Sequence, residues 1–144
     1  MNAPDRPVEL AYDKPFPVPD ELSRPFFDAT LRGELLLQHC AACGRWMWPY
    51  RRRCTGCLGD AVAWAPSRGL GTVYSFTIIH QVFHPGFAAE VPYNVAQVDL
   101  DEGVRCVGRV RGVANDALRI GTRVEVVFER VSAELALPGF RPVD

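Results

Sequence analysis

Two cysteine pairs, Cys40-Ala-Ala-Cys43 and Cys54-Thr-Gly-Cys57, stand ten residues apart and decide the fold of this chain. A spacing of two residues lets a tight turn aim both thiolates at one ion, and two such turns supply the four ligands of tetrahedral Zn(II). Four thiolates leave no coordination position for water or substrate. We therefore predict one zinc ion with a structural role, which replaces the hydrophobic core that about thirty residues cannot build.

Other chemistries use the same cysteine pattern, and the sequence leaves them open. Iron in a rubredoxin-like site binds the same four thiolates. Disulfide bonds need an oxidising compartment, which nothing in the chain indicates, and a redox-active pair is expected beside a βαβ pattern, which is absent. The fifth cysteine, Cys106, falls on the apolar face of a predicted strand, so we expect it in the core and not as a nucleophile.

The composition is that of an ordinary globular protein. The chain has 144 residues, a net charge of -1 and 48% hydrophobic residues, which suits one domain or two small modules. No apolar run approaches the roughly 18 residues that cross a bilayer, and no secretory signal is visible. We therefore expect a cytoplasmic protein that does not bind a membrane. The near-zero charge also argues against nucleic acid, whose binders usually carry a basic excess.

The first predicted unit, residues 1–33, is an extended arm followed by a helix. Five prolines in residues 1–20 indicate an arm without regular structure. Ser23 as the N-cap, Pro25 in the first turn and Gly33 as a stop then predict a helix of about ten residues. The adjacent Phe26 and Phe27 need cover, either from the rest of this chain or from a partner.

Residues 34–66 form the predicted zinc ribbon. They include three consecutive arginines, Arg51, Arg52 and Arg53, close in sequence to tryptophan and tyrosine residues. Guanidinium groups beside aromatic rings are suited to an anionic ligand or partner. A solvated loop is the alternative explanation.

From residue 67 the hydrophobic pattern has a period of two, which is typical of β-strands. Strands are predicted at 72–80, 93–100, 105–110 and 124–131. Some five strands in about 65 residues, without a long helix between them, favour a small closed β-barrel, with the OB-fold as the leading candidate and an SH3-like barrel behind it. We assign the barrel to residues 67–137 and expect residues 138–144 to form a tail.

A row of arginines follows the outer face of one predicted hairpin. Arg105 and Arg109 are evenly spaced there with Arg111, and such a row is suited to bind an anion. If the strand with Glu125 and Glu129 is a neighbour, ion pairs between the strands would leave no anion site.

The loop from His80 to Pro92 is the longest irregular stretch, and long loops in compact domains tend to be functional. It contains His80, His84 and Phe87, which we expect to bind a ligand or a partner. Either histidine is a conceivable general base, but Glu90 is the only carboxylate near them in sequence, and no nucleophile motif accompanies them.

With these features in place, the chain resembles the zinc-ribbon/OB-fold family associated with acyl-CoA enzymes, known as domain of unknown function 35. The resemblance covers roughly residues 20–130, and its motifs occur in the order that the family has. The matching stretches are Arg24-Pro-Phe-Phe-Asp-Ala, Gly33-Glu-Leu-Leu-Leu-Gln, the cysteine pairs, Gly71-Thr-Val-Tyr-Ser-Phe-Thr, His84-Pro-Gly-Phe87, Pro92-Tyr93, Val98-Asp-Leu-Asp-Glu-Gly103 and Ile120-Gly-Thr-Arg-Val-Glu-Val-Val-Phe-Glu129.

The resemblance implies a mainly β fold: an N-terminal helix, a rubredoxin-like zinc ribbon and a five-stranded OB-fold barrel. It also implies an accessory role, since members usually assist thiolases, sterol-carrier-type thiolases or aldolases, or acyltransferases, and some work beside MaoC-like enoyl-CoA hydratases. Zinc ligation carries over to the four paired cysteines. No catalytic residue carries over.

Our leading hypothesis is a non-catalytic subunit that binds a thiolase-like or aldolase-like enzyme and helps to hold or channel an acyl-CoA thioester. CoA phosphates would suit Arg51 to Arg53, or Arg105 and Arg109. One alternative is a module that binds single-stranded nucleic acid, because zinc ribbons and OB-folds both do so. The other is an acyl-CoA hydrolase that uses His80 or His84.

Overall fold

The structure is a computed structural model that describes residues 12–143. Residues 1–11 of the predicted arm and the last residue of the predicted tail lie outside this range. A short 3₁₀ turn at Pro85–Phe87 interrupts the long loop. The remaining elements, in chain order, are α1 (Arg24–Leu31), β1 (Leu36–Cys40), β2 (Trp46–Met47), β3 (Val62–Pro66), β4 (Leu70–Ile79), β5 (Tyr93–Leu100), β6 (Arg105–Gly108), β7 (Arg123–Arg130) and β8 (Ala136–Pro142).

Helix α1 lies where the sequence predicts it and is eight residues long. Ser23 precedes it, but the Ser23 hydroxyl donates to Asp20 Oδ1 at 2.7 Å and does not cap the helix. Gly33, at φ +74°, follows the last turn. Phe26 is 4% exposed and packs 5.8 Å from the Tyr50 ring, between ring centroids. This chain therefore provides the cover for Phe26, and Phe27 packs against the same core.

The ribbon is a three-stranded antiparallel sheet in the order β2-β1-β3. Strand β1 is central, and Gln38 in the middle of it is 3% exposed. The Gln38 side chain accepts a hydrogen bond from the Arg51 N–H at 2.5 Å. Because a buried amide needs a partner, this bond ties the segment between the two cysteine pairs to the sheet.

The barrel is one curled five-stranded antiparallel sheet in the order β6-β5-β4-β7-β8. The predicted alternation is confirmed on β5, where Ala96, Val98 and Leu100 are at most 3% exposed. A bulge between Val73 and Ser75 shifts the register of β4 against β5. Bulges bend a strand and help a sheet to curl, and the fold is the predicted OB-fold type.

The two edges of this sheet meet, and the strand that closes it differs from the prediction. Val110 forms a parallel bridge with Phe140, and Phe140 N donates to Arg109 O at 2.8 Å. Phe140 belongs to β8, so the sheet continues through Pro142 and residues 138–142 are not part of a tail. Pro138 and Pro142 conceal this strand in the sequence, because proline is tolerated only at edges or bulges of a sheet.

One hydrophobic core joins the helix, the ribbon and the barrel. Phe26 and Leu37 lie in the same buried cluster as Val73, Val98 and Leu118. A second, smaller cluster consists of Cys40, Met47 and Cys54 at the cysteine pairs. None of the helices in residues 12–143 has the length and apolar character that spanning a membrane requires.

Candidate metal centre and binding surfaces

The four paired cysteines come together at one point of the ribbon. The Sγ atoms of Cys40, Cys43, Cys54 and Cys57 all lie within 4.8 Å of one another. The pairs Cys43–Cys54 and Cys40–Cys57 are 3.4 Å and 3.7 Å apart. Zn–S bonds of about 2.3 Å in a tetrahedron place sulfurs about 3.8 Å apart, so the cluster has the size that one such ion requires.

Each cysteine pair lies in a turn with the same backbone pattern, which we call a knuckle. In the first knuckle Gly44 N donates to Cys40 O at 2.8 Å, and in the second Leu58 N donates to Cys54 O at 3.0 Å. The residue after the second cysteine has a positive φ in both, +78° at Gly44 and +63° at Leu58. Glycine adopts this conformation freely, whereas Leu58 is strained.

The pKa values of two of the four cysteines are shifted in opposite directions. N–H groups of Cys57 and Gly56 lower the pKa of Cys54 to about 6, and the Gly56 N–H lies 3.3 Å from its sulfur. The Arg45 N–H lowers the pKa of Cys43, but the neighbouring sulfurs and burial outweigh it and raise that pKa to about 11. Thiolates this close repel one another, and a divalent ion removes the repulsion. The donor set therefore fits a structural zinc ion.

Arginines surround the second knuckle. The Arg53 side chain donates to Leu58 O at 3.3 Å, and the Arg45 side chain packs so closely on Gly56 that a Cβ there would lie 2.6 Å from Nε. Both side chains thus lie beside the second knuckle, where their positive charge would offset part of the negative charge of a bound zinc tetrathiolate. Arg51 and Arg52 are exposed, and neither forms an ion pair with another residue of 12–143.

The arginine row on the barrel is paired with carboxylates. Arg105 Nε lies 2.7 Å from Asp99, Arg109 Nη1 lies 2.6 Å from Glu90, and Arg111 Nη2 lies 2.8 Å from Glu129. The expected ion pair with a carboxylate of β7 is thus confirmed for Arg111. Arg105 and Arg109 pair instead with Asp99 and Glu90, which were not predicted as their partners. Arg105 lies over the ring of Tyr74, 3.4 Å from its centroid, and therefore occupies one face of the ring of a residue that is 50% exposed.

The loop histidines form no hydrogen bond in the described residues to Glu90, the carboxylate near them in sequence. His84 Nδ1 accepts a hydrogen bond from Gly86 N at 3.0 Å and so caps the 3₁₀ turn. His80 is exposed. Glu90 is bound by Lys14 at 2.5 Å and by Arg109. Among the described residues, these contacts engage Glu90 with cations and leave it no hydrogen bond to either histidine.

Phe87, Arg109 and His84 are predicted site residues that the structure brings close together, with the His84 ring 6.4 Å from that of Phe87 between centroids. The Phe87 ring stacks on Tyr93 at 5.5 Å between centroids, and Arg109 lies 4.9 Å from the same Tyr93 ring. Sequence reasoning missed Lys14 beside them. Its signal was available, since Lys14 is the single lysine among the 16 basic residues. Cys106 is 4% exposed, and burial raises its pKa to about 12, so its core assignment is correct.

Two family descriptions match the chain in succession. Residues 27–63 match the one described as "ChsH2, rubredoxin-like zinc ribbon domain". Residues 64–129 match the one described as "ChsH2, C-terminal OB-fold domain". Together the matches cover more than two thirds of the chain.

Individual proteins show the same likeness. The chain is 38% identical over 117 residues to a "Probable enoyl-CoA hydratase alpha subunit" of Thermomonospora curvata, covering 81% of this chain but 36% of that protein, so it spans about a third of the relative. It is 30% identical over 96 residues to a "DUF35 domain-containing scaffold protein" of Methanocaldococcus jannaschii, covering 66% and 67%. The solved structure titled "Ltp2-ChsH2(DUF35) aldolase" matches with 35% identity and a TM-score of 0.79, covering 88% of this chain and 98% of that one.

Proposed function

This chain belongs to the DUF35 family, with a rubredoxin-like zinc ribbon followed by an OB-fold, and from that premise we propose that it is a non-catalytic accessory subunit of an acyl-CoA-processing enzyme complex. The observation that carries the proposal is the likeness to a chain of similar length in a structure titled as an aldolase. A relative named as a scaffold protein and another named as a hydratase subunit support the same role.

The chemistry of the described residues agrees with a scaffold role. Four cysteine ligands leave no open coordination position on the ion, so the metal would have a structural role. Bound zinc would fix the two knuckles of the ribbon relative to the sheet. The enzyme partner is then a thiolase-like or aldolase-like subunit, or a hydratase of the MaoC-like class, and this partner performs the reaction.

We place the acyl-CoA or partner contact on Arg51 to Arg53. CoA carries a pyrophosphate and a 3'-phosphate, and guanidinium groups bind phosphate with paired hydrogen bonds. Arg51 and Arg52 are exposed without an ion pair among residues 12–143, whereas Arg105 and Arg109 already have carboxylate partners. The ribbon therefore offers three adjacent guanidinium groups that form no ion pair within residues 12–143, which the arginine row does not.

Co-expression with each thiolase-like or aldolase-like enzyme encoded in the same genome tests the proposal. We expect one complex on gel filtration, and acyl-CoA turnover by the enzyme that rises when this chain is present. Separate elution together with unchanged turnover would contradict it, and so would thioester cleavage by the isolated chain. A loss of that cleavage in His84→Ala would support the hydrolase alternative instead.

A triple variant tests the arginine contact. Replacement of Arg51, Arg52 and Arg53 by Ala is expected to weaken complex formation or turnover by about tenfold or more, as loss of charge-assisted hydrogen bonds does. The control replaces Arg68, Arg119 and Arg130, three exposed arginines outside the ribbon, and removes the same charge. Equal behaviour of the two triple variants would remove the contact from the ribbon.

A further inference from the structure

A cavity of about 480 Å³ lies where residues Tyr12 to Lys14 of the arm cross the barrel. Its floor is apolar and comes from strands β7 and β8, through Val127, Phe128, Leu137 and Pro138. Tyr12 and Phe87 form its walls. Cavities of this size with apolar lining and a few converging polar groups are typical of small-molecule sites.

The charged side chains at this cavity, counted together with their ion-pair partners, have a net charge of +1. Lys14 and Arg109 share the single carboxylate of Glu90, at 2.5 Å and 2.6 Å. Arg111 and Glu129 form a pair of their own. Three cations thus face two carboxylates, and the excess charge lies on the Lys14 and Arg109 side.

Arg109 also has a donor to spare. Its Nε is buried and has no hydrogen-bond partner in the described part of the chain. A buried N–H without a partner is costly, and an anionic oxygen beside it would be bound by a charge-assisted hydrogen bond. The orphan donor and the excess charge belong to the same side chain, which lines the cavity.

We propose that this cavity binds a small amphipathic anion. The anionic head lies against Arg109 and Lys14, and the apolar body lies on the β7–β8 floor between the rings of Tyr12 and Phe87. The proposal concerns the isolated chain and does not depend on an enzyme partner or on acyl-CoA.

The arm is held as one wall of the site by two contacts. Lys14 binds Glu90, and its Nζ lies 5.4 Å from the centroid of Phe87. Gly86 lies so close beneath Asp13 that a Cβ there would be 2.5 Å from the Asp13 carbonyl oxygen. Because that atom belongs to the backbone, Gly86→Ala must displace either the arm or the 3₁₀ turn that carries Phe87, without changing any charge of the site.

Fluorescence titration of the full chain with 8-anilinonaphthalene-1-sulfonate tests the proposal, since this probe combines a naphthalene and a phenyl group with one sulfonate. We expect saturable binding with one site per chain, displaced by octanoate and not by octanol. Displacement by octyl phosphate as well as octanoate would show that the shared anionic chemistry governs binding. Absence of saturable binding, or equal displacement by octanol, would overturn the proposal.

Single substitutions test whether the probe binds in this cavity. Arg109→Gln is expected to weaken the sulfonate probe about tenfold or more, but to leave N-phenyl-1-naphthylamine, which has the same rings and no sulfonate, bound as before. Leu137→Trp fills the floor and Gly86→Ala displaces the wall, so each should weaken both probes. Arg141→Gln is the control, because Arg141 pairs with Glu125 and does not line the cavity. Equal titrations of Arg109→Gln and Arg141→Gln, with both variants folded at the temperature of the titration, would place the anion elsewhere.

Discussion

In the barrel, strand β5 buries Ala96, Val98 and Leu100 to 3% exposure or less, whereas the separate buried cluster of the ribbon consists of Cys40, Met47 and Cys54. Two of those three ribbon residues are ligands of the proposed ion. The barrel residues are aliphatic and belong to a core of thirteen buried residues. The barrel can therefore be stabilised by apolar burial, but the knuckles of the ribbon depend on coordination bonds.

Removal of the metal should destabilise the knuckles of the ribbon far more than the barrel, and this is the largest difference that we expect. Structural zinc provides about 10–16 kcal/mol of apparent folding free energy in small zinc peptides. With a chelator, or in Cys43→Ser, we expect backbone amides of residues 40–58 to lose protection in hydrogen exchange while β5 keeps it. Cys106→Ala is the control, since Cys106 is buried outside the cluster. If the knuckle amides of Cys43→Ser were as protected from exchange as those of the parent, the knuckles would not depend on the metal.

A cavity in the barrel core should have the next largest effect. Leu118 is 1% exposed in the main core, and Leu118→Ala is expected to lower the free energy of unfolding by about 3 kcal/mol. Urea unfolding measures this change, and the metal content should stay that of the parent. Ile120→Ala, at a residue 69% exposed, should change stability by less than about 0.5 kcal/mol. Loss of the metal from folded Leu118→Ala would show that the regions are not independently stabilised.

Opposite substitutions at equivalent positions of the two knuckles should change the free energy of unfolding by smaller amounts and in opposite directions. Gly44→Ala places a side chain at a φ of +78° and should cost about 1 kcal/mol, whereas Leu58→Gly relieves a φ of +63° and should gain up to about 1 kcal/mol. Leu58 is 71% exposed, so little apolar burial is lost. Urea unfolding of the zinc-loaded proteins measures both changes. A Leu58→Gly protein less stable than the parent would show that the leucine has a packing role.

The smallest predicted effect concerns acid stability at the barrel. Burial raises the pKa of Glu90, but hydrogen bonds from Lys14 and Arg109 outweigh it and hold that pKa below its ordinary value. Its stabilising contribution is therefore fully present above the unfolded-state pKa of about 4.3 and is lost as pH falls through the lower folded value.

Thermal melting between about pH 5 and pH 3 measures this dependence. Glu90→Gln should have a flatter profile than the parent, and Arg109→Gln should shift in the same direction because it removes one cause of the low pKa. Acid release of zinc acts on all three proteins and cancels in the comparison. Identical profiles for Glu90→Gln and the parent would refute the Lys14–Glu90–Arg109 contact.

Local patterns in the sequence were sufficient for much of this fold. The spacing of the four cysteines predicts the cluster, because the chemistry of one ion determines it. Alternation predicts the inner face of β5, since one face of a barrel strand is buried. Strand β8 was missed because Pro138, Gly139 and Pro142 interrupt its pattern, although proline is tolerated at the edge of a sheet.

Contacts between distant parts of the chain were not predictable in this way. Nothing close to Glu90 in sequence indicates that Lys14 binds it, because the arm reaches the loop only in the folded chain. Asp99 lies only six residues from Arg105, but their ion pair depends on the register of β5 and β6. The cavity at the arm depends on the contact between Lys14 and Glu90 and so could not be foreseen.

Native mass spectrometry of the freshly purified chain, with elemental analysis of the same sample, tests the central claim most directly. We predict one zinc ion per chain, lost on replacement of Cys43 by Ser and kept on replacement of Cys106 by Ala. A chain that is fully folded without any metal, or that carries iron in place of zinc, would contradict this account of the ribbon.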